Sequence, residues 1–141
     1  MKQARFQPLN QIYKDLCSLL HNTALCLNNT DFTTAESAHT IKKVKAVLSH
    51  FEYQAAIEEA ILFTAVHDYE PGLVAILRDD HRERMHYLHQ LEEIISVNEK
   101  REGSFKSILF GSRLIRHFNE FMICCVQQMN DHEVMVNPVL R

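Results

Sequence analysis

Between Ile41 and Ala65 the chain carries apolar residues at Ile41, Val44, Leu48, Phe51, Ala55, Leu62 and Ala65. The spacing alternates three and four residues, which is the pattern of one buried helix face. Glu58 stands on that seam where an apolar residue belongs, while its neighbour Glu59 already serves the solvent side. Desolvating a carboxylate is expensive unless it is paired or hydrogen-bonded. The sequence therefore demands a partner for Glu58: a cation or a set of hydrogen-bond donors.

The rest of the chain reads as further helix. Pro8 suits a first helical turn, and a stripe of Leu9, Ile12, Leu16, Leu19, Leu20, Thr23 and Leu27 runs to about Asn28–Asn29, flanked by Tyr13 and His21. Thr33-Thr-Ala-Glu36 has the form of a capping box, so a second helix is predicted from there to about Val66. Asp68-Tyr-Glu-Pro71-Gly72 turns the chain. A third helix from about Pro71 to Val97 turns Leu73, Val74, Leu77, His81, Met85, Leu88, Leu91 and Ile95 inward. After the polar stretch 98–103, Ser104 is a candidate cap for a fourth helix ending at Asn137–Pro138. That helix carries one row of Ile108, Ile115, Phe118, Met122, Cys125, Met129 and His132, and a second of Leu114, Phe121, Gln128 and Met135.

Three glycines and three prolines in 141 residues suit long helices better than a turn-rich sheet. The expectation is all-α: one domain over residues 1–141, an up-down-up-down four-helix bundle with short links. A net charge of −3 and the lack of a long basic block argue against nucleic acid or an anionic membrane as partner. No C-x-x-C pair occurs among Cys17, Cys26, Cys124 and Cys125, which predicts free thiols in a reducing compartment. With no apolar leader and no unbroken apolar run of about 18 residues, a cytoplasmic location is expected.

Each helix also places polar residues on or beside its inner stripe: Tyr13; Gln54 and Glu58; His81; and Gln128, His132 and Glu133. At a rise of about 1.5 Å per residue, an alternating bundle brings Tyr13, Glu58, His81 and Gln128 to one level. At these residues the chain resembles the hemerythrin-like, or HHE cation-binding, family. The resemblance runs from about Phe6 to Leu140. It rests on Asn10-Gln-Ile-Tyr-Lys and Thr23-Ala-Leu, Glu58-Glu-x-x-Leu-Phe, Asp80-His81-Arg, and Gln128-Met-Asn-Asp-His-Glu-x-x-x-Asn-Pro.

The resemblance implies a bundle that binds two iron ions. Its ligand positions fall on Tyr13 of the first helix, Gln54 and Glu58 of the second, His81 and Met85 of the third, and Gln128 and Glu133 of the fourth. The spacings match, but Tyr13, Gln54, Met85 and Gln128 stand where the family has histidine. That departure argues against oxygen carriage and di-iron chemistry. Tyr offers an O–H and Gln an NH₂, donors able to satisfy Glu58 and Glu133 as a cation would, while Met85 fills space. The expected protein has no cofactor and no catalytic residues. It is a non-enzymatic binding or interaction protein with an unidentified protein or small-molecule partner. The alternative is a single iron, manganese or zinc ion held by Glu58, His81 and Glu133, with an oxygen, nitric oxide or redox sensing role. A small-molecule pocket among Phe51, Phe118, Phe121 and the methionines is a third reading, set against plain core packing.

Overall fold

The computed structural model describes the backbone of residues 3–62, 64, 68, 70–100 and 104–140, and the side chains of residues 11–60, 64, 68, 70, 72–100 and 107–134. Among the described residues the main elements are four α-helices: α1 (Gln3–Asn28), α2 (Glu36–Ile57), α3 (Pro71–Glu99) and α4 (Ser104–Leu140). No strand occurs among the described residues. The helices contact in a ring, α1 on α2, α2 on α3, α3 on α4 and α4 back on α1, which makes a four-helix bundle around one core.

The helices bury the stripes that their apolar spacing predicts, with informative exceptions. On α2 the buried residues are Thr40, Val44, Val47, Leu48, Phe51, Ala55 and then Glu58, so the seam holds through the carboxylate. Leu62 and Ala65 have side chains outside the described residues, as does the expected helix end at Val66. On α1 it is Tyr13, Leu16, Leu20, Ala24 and Leu27 that face inward, while Ile12 sits at the rim. A phenol ring is large enough to offset the cost of its hydroxyl, and packing decides the helix rotation. On α4 the two expected rows merge into one face of Phe110, Leu114, Phe118, Phe121, Cys125, Gln128, Met129 and His132; Ile108 is exposed. Phe51 meets Phe121 edge-on and Phe118 meets it at a tilt, with ring-centroid distances of 5.2 and 6.2 Å, the close packing of ordinary core.

The ends of the helices differ from expectation in physically readable ways. Helix α1 begins at Gln3, ahead of Pro8. The α1–α2 connection is built on Asp31 rather than on a Thr33–Glu36 capping box. The Asp31 carboxylate accepts from the Thr33 backbone N–H (2.9 Å) and hydroxyl (2.5 Å), bonds that hold its pKa below the ordinary carboxylate value. The Thr34 hydroxyl oxygen accepts from the Glu36 N–H at 3.3 Å. Thr30 donates to the Cys26 carbonyl (2.6 Å), so its oxygen is left to accept from the buried Thr40 hydroxyl (2.6 Å). Pro71 opens α3 at its first helical position, where the missing N–H costs nothing. Helix α4 continues through Pro138 to Leu140 instead of stopping there. All four cysteines are free thiols. Among the described residues no helix is long and apolar enough to cross a membrane.

One contact locks the α1–α2 connection to α4. The Phe32 ring is buried, meets Phe110 edge-on at 5.9 Å, and lies across the backbone of Gly111. A Cβ built at Gly111 would stand 2.5 Å from a Phe32 ring carbon and 3.1 Å from the Phe32 Cβ. Glycine is required here by close approach, not by backbone conformation.

Candidate functional site: a buried ionic chain

At Glu58 the α-helix gives way to a π-helical turn, Glu58–Leu62. Such widened turns lengthen the hydrogen-bond ring by one residue and are common at functional positions. The buried carboxylate thus sits at the junction of the two geometries.

Its partner is a cation. Arg84 of α3 places Nη2 2.7 Å from Glu58 Oε2, and both side chains are 4% exposed. Arg84 Nη1 donates to Gln128 Oε1 of α4 at 3.1 Å, and Gln128 Nε2 donates to the main-chain carbonyl of Asp80 at 2.8 Å. The Asp80 carboxylate in turn faces His132 Nε2 at 3.1 Å. A single connected chain, Glu58–Arg84–Gln128–Asp80–His132, therefore ties α2, α3 and α4 together in the interior. Burial is the largest single influence and disfavours the guanidinium charge. The charge and hydrogen bond of Glu58, with smaller contributions from Cys125 and Tyr13, together outweigh it, and the Arg84 pKa is raised.

This corrects the expectation that Tyr13, Gln54 and Gln128 would donate to the buried acids. Gln128 turns its oxygen to Arg84 and its nitrogen to a carbonyl, because a guanidinium can only donate and a carbonyl can only accept. Gln54 is half-buried and makes no hydrogen bond to Glu58. Tyr13 is 2% exposed, and its hydroxyl is buried beside Glu58 without a hydrogen bond of good geometry. Burial first, and then the Glu58 charge, push the Tyr13 phenol well above its ordinary value.

The residues at the other expected ligand positions are spread out. His81 is half-buried; burial and the Arg84 charge push its imidazole below the ordinary value, against a weaker pull from Glu58 and Glu59. Met85 packs against the core edge. Glu133 is half-buried and near enough to act on Tyr13 and Cys17. Among the described residues, the metal-ligating side chains whose donor atoms all lie within 4.8 Å of one another are Glu52, His89 and Glu92, all exposed; Glu58, His81 and Glu133 are not gathered in this way. The residues present do not fit a di-iron pair. One acid is already bound to a guanidinium, and Gln128 directs its only acceptor atom at that same guanidinium.

Arg84 is the residue that sequence reasoning passed over. Leu77, His81, Arg84, Leu88, Leu91 and Ile95 follow spacings of four, three, four, three and four. That rhythm selects Arg84 over Met85 for the inner face, and Arg84 is indeed only 3% exposed. Asp80 carried no comparable signal, since its role depends on where Gln128 and His132 arrive from another helix.

No family model, curated protein or solved structure matches this chain.

Proposed function

We propose that this chain is a hemerythrin-like, up-down-up-down bundle in which an internal arginine does the work of a metal pair, and that it acts as a non-enzymatic binding or interaction protein. The observation that carries this reading is the Glu58–Arg84 ion pair, 2.7 Å long and almost fully buried. A divalent ion placed at Glu58 would share that space with a permanent positive charge. Like charges a few ångströms apart in a low-dielectric interior repel strongly. The alternating topology is supported by the adjacency of successive helices and by the level at which their polar residues meet. Glu58 lies at the end of α2, Arg84 in the first half of α3 and Gln128 in the second half of α4. With its central charges consumed internally, the bundle offers other molecules its outer faces, where Leu25, Ile123 and Val134 stand exposed.

The deciding experiment is elemental analysis of protein purified without chelators, before and after incubation with Fe(II), alongside its visible spectrum. The expected result is no stoichiometric iron and no ligand-to-metal absorption band. Tightly bound iron at one or two equivalents, with such a band, would overturn the proposal.

A further inference from the structure

On the outside of the bundle, Glu52 of α2 faces His89 and Glu92 of α3. All three are exposed, and one donor atom from each lies within 4.8 Å of the others. His89 Nε2 is 3.8 Å from Glu92 Oε1 within one turn of α3. The Glu52 and Glu92 carboxylates approach each other across the seam between α2 and α3. Two carboxylates held against each other repel unless a proton or a cation lies between them. Among the described residues no lysine or arginine forms a salt bridge to either one; Lys45, which lines the same groove as Glu92, is paired with Glu99.

We infer that Glu52, His89 and Glu92 form a binding site for a divalent transition-metal ion of the zinc type, bridging α2 and α3. The donor set explains the class of ion. An imidazole nitrogen with two carboxylate oxygens suits zinc and its neighbours, whereas magnesium and calcium favour all-oxygen shells. Bonds of about 2.0–2.2 Å require donor atoms no more than about 4.4 Å apart. Three exposed side chains reach that from 4.8 Å by small rotamer changes, with water completing the shell. The site stands apart from the buried ion pair and does not depend on the reading of the core given above. Because its donors come from two helices, it exists only in the folded chain, and ion binding stabilises the fold.

The test is calorimetric titration of the full chain with Zn(II) in a weakly coordinating buffer, with thermal melts in parallel. The wild-type chain is expected to bind zinc and to melt at a higher temperature with it. Glu52→Gln and His89→Ala should each weaken that binding by about tenfold or more and abolish the thermal shift. His86→Ala, an exposed histidine one turn away on α3, should bind as wild type does. Zinc binding unchanged in both Glu52→Gln and His89→Ala, or absent from the wild-type chain, would overturn the site. Equal competition by Mg(II) would overturn the assignment of ion class.

Discussion

Gln128 holds Arg84 by two routes. Its side-chain oxygen accepts directly from the guanidinium at 3.1 Å, and its nitrogen binds the Asp80 carbonyl, one helical turn earlier on the same helix, at 2.8 Å. The amide thereby fixes both the charge and the backbone that carries it. The guanidinium is delivered to Glu58 already oriented, so little side-chain freedom remains to be lost in forming the pair.

This arrangement sets the outcome of a double-mutant cycle. Removing one member of a buried pair strands the other charge, and Glu58→Met or Arg84→Met should each cost about 3–5 kcal/mol in urea unfolding. The double variant leaves no orphan charge, and it should lose clearly less than the sum of the two. Additive losses would mean that the two residues do not act as a pair.

Tyr13 makes a spectroscopic prediction. Its phenol is pushed up by burial and by the Glu58 charge, so the folded chain keeps a proton that the unfolded chain releases near about pH 10. Stability from this group is fully present below that pH and falls as pH rises beyond it. In tyrosinate absorbance, one of the four tyrosines should stay protonated at about pH 11 until the chain unfolds. The late phase should vanish in Tyr13→Phe. That variant should remain within about 1 kcal/mol of wild type, since the hydroxyl has no well-formed hydrogen bond to lose.

Gly111→Ala should destabilise the protein even though alanine is the better helix former. The intrinsic gain of about 1 kcal/mol is opposed by a clash with the Phe32 ring and Cβ, and overpacking of this kind costs about 1–3 kcal/mol. Shrinking the ring in the same chain, with Phe32→Leu, should recover part of the loss caused by alanine. Chemical denaturation of the single and double variants reads this directly. A stabilised Gly111→Ala chain would show that Phe32 does not seat on α4.

Thiol labelling separates the cysteines of α1 from those of α4. Cys124 is buried, and burial together with the Glu83 charge pushes its pKa to about 11; burial raises Cys125 as well. Both should resist a thiol reagent at about pH 8 until the chain opens, because the thiolate is the reacting form. Cys17 and Cys26 are half-buried and should react first. Rapid labelling of a chain carrying Cys17→Ser and Cys26→Ser would contradict the packing of α4.

Much of the fold was legible before any coordinates. The spacing of Val44, Leu48, Phe51 and Ala55 placed Glu58 in the interior, and the same rhythm on α3 pointed to Arg84. The inward stripe read for α3 took Met85, four residues after His81, in place of Arg84, three residues after it. Yet a buried acid is the one neighbour that makes a buried arginine tolerable, and the two anomalies were each other's explanation.

Residue spacing along each helix determined the helical class, the buried stripes and the need for a countercharge at Glu58, because periodicity is a local property of the chain. Only the tertiary structure decided that Gln128 would serve Arg84 rather than Glu58, that Asp80 would meet His132, and that Glu52 would lie against Glu92. Those pairings depend on how far each helix is rotated and shifted against its neighbour. That is set by the sum of many small packing contacts across the bundle, which no single stretch of sequence contains.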